Sequence, residues 1–287
     1  MSIARGIPLL ILTAILGLAH PGSTALAAGT TERVSLSGTG TQADAGSYRA
    51  SLSADGRYVA FESSADNLVP GDTNGTSDIF VRDRVAGTTE RVSVSSLGHQ
   101  GCCGSEFPSI SANGRYVAFL SRSDLGGPVR FARERVYVRD RTAGITTNVD
   151  VTSTGRDANG DSYWPAISAD GHHVAFESNA TNLACCDVNY DANDVFVRNL
   201  VAHTTELISV NQMGRNSGNG WSENPSISAD GRYVAFQSTS SDLIAHDTDG
   251  ASDVFVRDRS LGTTERVSVS SVEAQEKGGG SGSPSIS

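Results

Sequence analysis

Residues 53–61 read SADGRYVAF, and the chain repeats that phrase with small changes at 111–119 (SANGRYVAF), 168–176 (SADGHHVAF) and 228–236 (SADGRYVAF). The Asp or Asn before each Gly lies at 55, 113, 170 and 230, which gives spacings of 58, 57 and 60 residues. Self-similarity at a long period restricts a chain more than any single residue does. Each repeat is one supersecondary unit, and the units bury their apolar faces against one another. At 287 residues the chain is long enough for one large core or two ordinary ones, and the repeats favour one stacked or cyclic unit.

Within a repeat the pattern gives four short strands. The first opens at a proline (Pro108, Pro165, Pro225), where a missing N–H does least harm. The Asp-Gly or Asn-Gly that follows suits a tight hairpin, because both residues tolerate positive φ. The second strand carries Tyr-Val-Ala-Phe, apolar on both faces, as in a strand packed between neighbouring sheets. After a polar loop comes a third strand, at 78–82, 135–139, 194–198 and 253–257. A fourth strand, Thr-Thr-Glu-Arg-Val in its cleanest copies, alternates in polarity like a half-exposed outer edge. Sparse aromatics, abundant Gly and the lack of a helical period after residue 28 agree with this reading. The expected fold is all-β, a β-propeller of four-stranded antiparallel blades. It has four full repeats, at about 48–95, 107–151, 164–210 and 224–270, and partial blade strands at both ends.

The ends of the chain read differently. Residues 1–27 hold one charge, Arg5, a short apolar run over 7–19, and Ala25-Leu26-Ala27 ahead of Ala28. That is the layout of a signal peptide cleaved before Ala28, and the run is short for the alternative, a retained anchor. Residues 28–287 are then the propeller. GTTERVSLS at 29–37 matches the closing strand at 87–95 and 262–270, whereas 283–287 reads as an opening strand. These two pieces do not complete one blade and would leave unpaired edges. The expectation is a truncated fifth blade, in a chain that belongs to a longer propeller.

Candidate site residues concentrate in the loop between the second and third strands. It carries Asp72, Asn74 and Asp78 in the first repeat, Asp187, Asn189 and Asp194 in the third, and Asp247, Asp249 and Asp253 in the fourth. Oxygen ligands at alternate positions around a bend suit calcium, the one candidate cofactor, although the spacing is not that of an EF-hand. Turn chemistry alone also accounts for Asp, Asn and Gly there. The second repeat lacks the pattern. The four cysteines form two vicinal pairs, Cys102-Cys103 and Cys185-Cys186. In an oxidising compartment they are disulfide candidates, and the loop positions suggest cross-blade pairing between adjacent blades. Tyr48, Phe107, Trp164 and Trp221 stand near the first strands and are expected to wedge between blades as core, lining a pocket being the alternative. Arg82, Arg139, Arg198 and Arg257 recur on the third strand and Glu90, Glu206 and Glu265 on the fourth, so a structural cross-strand pair is expected. No catalytic constellation is evident.

The phrase P-S-I-S-A-D-G-R-Y-V-A-F, followed each time by a version of D-V-F-V-R-D, resembles the WD40-like repeat of the TolB family of bacterial propellers over nearly all of residues 29–287. The resemblance implies a propeller of a kind found in periplasmic translocation proteins, in the gating domain of prolyl oligopeptidase-like peptidases and in secreted proteins. The hydrolase part of those peptidases has no counterpart here, nor does its G-x-S-x-G elbow. A net charge of −10 without a basic face argues against nucleic acid. The expected function is an exported, secreted or periplasmic, non-enzymatic scaffold with no membrane span after signal cleavage. Its partner would be a protein or glycan of the cell envelope or exterior. The alternative is a secreted carbohydrate-active hydrolase or lyase using loop acids such as Asp157, Asp161 and Glu223.

Overall fold

The computed structural model describes residues 31–126, 133–185, 187–189, 192–248, 250–270 and 280–287. The expected signal peptide, Cys186 and Asp249 lie outside the described residues. Residues Val34–Ser287 form one compact unit. They contain four antiparallel sheets of four strands, each in simple sequence order. Blade 1 is β1 (Ser47–Leu52), β2 (Tyr58–Ser63), β3 (Asp78–Asp83) and β4 (Thr88–Arg91). Blade 2 is β5 (Ser105–Ile110), β6 (Tyr116–Ser121), β7 (Arg135–Asp140) and β8 (Ile145–Asn148). Blade 3 is β9 (Ser162–Ile167), β10 (His173–Ser178), β11 (Asp194–Asn199) and β12 (Thr204–Leu207). Blade 4 is β13 (Ser222–Ile227), β14 (Tyr233–Ser238), β15 (Asp253–Asp258) and β16 (Thr263–Arg266). No helix among the described residues is long and apolar enough to cross a membrane.

The repeated phrase builds both a turn and a seam. Ser53 Oγ donates to Asp55 Oδ1 (2.6 Å) and accepts from the Tyr58 N–H (2.9 Å), while Asp55 Oδ1 also accepts from the Arg57 N–H (2.9 Å). Gly56 supplies the positive φ, 67°, that the turn needs. Arg57 then grips Asp83 at the end of β3 with two nitrogens, the shorter contact at 2.7 Å. The glycine has a second duty between blades. A Cβ on Gly114 would overlap the Tyr58 ring of the preceding blade, and one on Gly171 would overlap Tyr116. Backbone bonds join the same turns across each seam: Ala54 N–H to Ala112 O, Ala112 N–H to Ala169 O and Ala169 N–H to Ala229 O, at 2.9 to 3.0 Å.

Second strands are buried on both faces, as their sequence requires, with Val59, Ala60 and Phe61 and their copies all buried. Each packs on the first strand of the following blade, β2 on β5, β6 on β9 and β10 on β13. The first strands contact one another in succession, β1, β5, β9 and β13, so they form the innermost layer. Residues 281–287 continue the series. The Ile286 N–H donates to Ser226 Oγ (3.1 Å), just as Ile110 donates to Ser51 and Ile167 to Ser109.

First strands differ from the sequence expectation in one respect. They start three residues ahead of the proline, at Ser105, Ser162 and Ser222, and each is interrupted by a bulge. The residue before the proline or its equivalent takes φ of about +50° in all four blades and again near the C-terminus: Arg49 (48°), Phe107 (55°), Trp164 (48°), Asn224 (52°) and Ser283 (54°). At the other end, the GTTERVSLS segment does not form a fourth strand among the described residues. Leu36 makes only an isolated bridge to Gln42, the counterpart of Val94 with Gln100.

Candidate functional site

The five positive-φ residues converge. Arg49, Phe107, Trp164, Asn224 and Ser283, each with the residue after it, line one open pocket of about 480 Å³ at the mouth of the inner strand layer. Positive φ is costly for bulky residues, and more so just before proline. Here neighbouring blades hold the conformation. Glu177 on β10 accepts the Asn224 N–H (2.8 Å), and Gln237 on β14 accepts the Ser283 N–H (2.9 Å). Strained backbone held in this way is a common property of ligand-binding positions.

The side chains at the mouth form a stack. The Arg49 guanidinium lies 4.2 Å from the Phe107 ring centroid, and Phe107 meets Trp164 at 4.1 Å with a 47° tilt. Glu62 anchors the arginine at 2.9 Å, with Glu106 further off at 3.9 Å. Behind the rim, burial pushes the Glu177 carboxyl up to about 7. The sequence expectation that the aromatics are core is overturned for Tyr48, Trp164 and Trp221, while Phe107 is half-buried. Tyr48 is 59 % exposed, Trp164 44 % and Trp221 51 %. Trp164 takes its positive φ just before Pro165, of which periodicity gives no sign, whereas Tyr48 and Trp221 are exposed without lining this pocket.

The acidic loops are not equivalent. In blade 1 the Arg91 guanidinium reaches Asp72 (2.7 Å) and Asp78 (3.4 Å). In blade 4 Arg266 reaches Asp247 (3.3 Å) and Asp253 (3.2 Å). These are two of the three loops expected to bind calcium, and in both an arginine stands as counter-charge to the carboxylates. Asn74 donates to Asp78 (2.9 Å) and to the Gly101 carbonyl (3.0 Å), a structural role. In blade 3 Asp187, Asn189 and Asp194 have no arginine among the described residues, because Leu207 stands opposite Phe196 where Arg91 stands opposite Phe80. Burial raises both acids, Asp194 to about 7. Blade 2 reverses the charges, with Arg135 in place of Asp78 and Asp150 in place of Ser93. Burial pushes Asp150 up to about 8 against the pull of Arg135. No group of three or more His, Cys, Asp or Glu among the described residues is arranged to hold a metal.

Other expectations also change. Among the described residues no cross-blade disulfide is formed: Cys102, Cys103 and Cys185 are free thiols. The linkers before the first strands of blades 2 and 4 lie against the acidic loops of the preceding blades, Gly101 on Asn74 (3.0 Å) and Gly218 on Asn189 (2.9 Å). Cys102-Cys103 therefore borders blade 1, and Cys185 belongs to blade 3. Arg82 does not pair with Glu90, because the register sets it opposite Thr89. It donates to Thr89 Oγ1 (3.1 Å) and to the Ser37 carbonyl (3.0 Å). Glu90 crosses the seam to Arg141 (2.5 Å), and Glu206 to Arg259 (3.0 Å). Each of the loop acids has a partner of its own. Asp157 binds Arg135 (3.2 Å), Asp161 accepts the Glu134 N–H (3.2 Å), and Glu223 accepts from Gln237 (3.4 Å).

No family model matches the chain, and no curated protein matches it either. Among solved structures, TolB from Acinetobacter baumannii is similar over 80% of this chain and 45% of its own length, at 13% identity and a TM-score of 0.47. A putative TolB from Agrobacterium tumefaciens is similar over 79% of this chain and 68% of that one, at 19% identity and TM-score 0.49. The solved neighbours are TolB-type propellers and related ones. They include an oligogalacturonate lyase from Vibrio parahaemolyticus, at 10% identity, TM-score 0.46, and 76% and 50% coverage. The chain thus spans less than half of the first of these proteins. Likeness at this level carries neither ligand nor reaction across. The blade description rests on the chain's own sheets.

Proposed function

We propose that the chain is a non-enzymatic binding propeller that takes a polypeptide segment of a partner protein at the mouth of the inner strand layer. The observation that carries this reading is the ring of five positive-φ residues. The strands and turns around it recur in each blade, yet the pocket positions vary from Arg49 to Phe107, Trp164, Asn224 and Ser283. Trp and Arg are the side chains that most often anchor protein interfaces, and a mouth of about 480 Å³ accommodates a few side chains of an inserted segment. With Glu62 and Glu106 beside the stack, the segment is expected to present a basic residue next to an apolar one. Export follows from residues 1–27 as read in the sequence, so the partner belongs to the cell envelope or exterior.

Selection of a displayed peptide library on the full chain tests this. Selected peptides should be basic and apolar, and Trp164→Ala should weaken them about 30-fold, as loss of an anchor worth about 2 kcal/mol does. Thermal unfolding should barely change. Glycans retained on an array, and lost with the same substitution, would move the site to the glycan reading. Oligosaccharide turnover that disappears in Glu223→Gln would replace binding with catalysis.

A further inference from the structure

Among near-identical blades, the locus where one departs from the rest is informative. Asp78 and Asp253 each accept at Oδ1 from a serine hydroxyl, Ser93 (2.5 Å) and Ser268 (2.6 Å), and Asp194 does the same from Ser209 (2.6 Å). The other oxygen differs. Asp78 Oδ2 receives Asn74 (2.9 Å) and Arg91 (3.4 Å). Asp194 is fully buried, and its Oδ2 has no hydrogen-bond donor among the described residues. Asn189 turns its amide nitrogen to the carbonyls of Gly218 (2.9 Å) and Gly220 (3.3 Å), which leaves its Oδ1 buried without a donor. Asp187 Oδ1 is in the same state. Three acceptor oxygens, two of them from carboxylates, thus stand in blade 3 where the other loops have a guanidinium. The partner-strand position is Leu207, buried and apolar.

A buried carboxylate left without its counter-charge is strongly destabilising. The chain nevertheless keeps both acids and the amide where it has given up the arginine. We infer that blade 3 binds a hard divalent cation of calcium's class through Asp187, Asn189 and Asp194, and that Leu207 distinguishes this loop from the two filled by arginine. Such a cation prefers oxygen ligands and completes its shell with waters and backbone carbonyls. It does from solution what Arg91 and Arg266 do from within the chain.

Calorimetric titration of the full, chelator-treated chain with calcium chloride, and separately with magnesium chloride, tests this. One site per chain is expected, with the thermal midpoint rising about 5 °C at a calcium concentration about a hundredfold above the dissociation constant. Leu207→Arg should abolish uptake and raise the midpoint of the chelated protein. Asp194→Asn should abolish uptake independently, which keeps the test valid if the arginine variant folds poorly. Absence of uptake of either metal by the parent chain overturns the proposal. So does uptake that survives in Asp194→Asn and is lost in Asp78→Asn.

Discussion

Blades 1 and 3 share strand lengths, turn chemistry and two aspartates between their second and third strands, both buried in blade 1 and one buried and one half-buried in blade 3, and they differ in what faces those acids. In blade 1 the fourth strand reaches in with Arg91, and in blade 3 the same position holds Leu207. The lesson is that the identity of a repeat loop does not decide its chemistry. A residue on the adjacent strand, thirteen positions beyond Asp78, does.

The strongest way to break the contrast is to give blade 1 the composition of blade 3. Arg91→Leu leaves Asp72 and Asp78 buried without their arginine, and removing one partner of such a group costs about 3–5 kcal/mol. In chelator the thermal midpoint is expected to fall by roughly 10 °C. If the two blades are interchangeable, calcium should restore much of the loss and titrate as a second site. A variant as stable as the parent in chelator would mean that Arg91 contributes little, and the contrast would fail.

Blade 2 sharpens the comparison by inverting it. There Arg135 takes the aspartate position, and Asp150 sits fully buried on the fourth-strand side, with Ser162 donating at 3.3 Å and Asp157 adding a second negative charge nearby. The carboxyl pKa of about 8 lies above that of an unfolded aspartate. The folded state therefore holds a proton that the unfolded chain releases, and stability falls as pH rises from about 4 to 8. Between pH 6 and 8 the decline from this group is about 2 kcal/mol. Glu177, raised to about 7, acts in the same direction. Asp150→Asn should flatten the urea-unfolding midpoint between those pH values. An unchanged slope would show that Asp150 is already ionised in the folded protein.

These contrasts were only partly legible in the sequence. The blades were, because each strand is fixed by local pattern: a Ser-Ala-Asp-Gly turn, a doubly apolar second strand and an alternating fourth. The mouth was not. Residues before proline ordinarily adopt extended backbone, and nothing in Phe107-Pro108 or Trp164-Pro165 announces a bulge with φ near +50°. The acidic loops were recognised as a group, but their sorting depends on Arg91, Leu207 and Arg266 across a strand pair. Residue type pairs Arg82 with Glu90, whereas the register sets Arg82 against Thr89 and Val81 against Glu90. Adjacent strands are not enough. Facing requires register, which only pairing reveals.

The smallest expected effect concerns the seams. Glu90 reaches Arg141 between blades 1 and 2, and Glu206 reaches Arg259 between blades 3 and 4. Between blades 2 and 3 both partners are missing together: Thr147 replaces the glutamate and Leu200 the arginine. A cavity of about 260 Å³ opens at this seam, lined by Tyr116, Thr147 and Leu200 among others. Arg141 also lies over the Tyr58 ring, 4.5 Å from its centroid, a contact that Leu200 cannot offer Tyr116. Installing Thr147→Glu and Leu200→Arg together should rebuild the pair. Leu200 packs against the blade 2–3 core, so the arginine alone should destabilise. The glutamate of the existing pairs is nearly half exposed, 49% for Glu90 and 41% for Glu206. Solvent screening then limits the coupling to about 0.2–1 kcal/mol. A double-mutant cycle on unfolding free energies measures it directly. Coupling in that range would make the paired absence a matter of two residues lost together. Zero coupling would mean that the seam geometry itself differs, and that blades 2 and 3 meet in their own way.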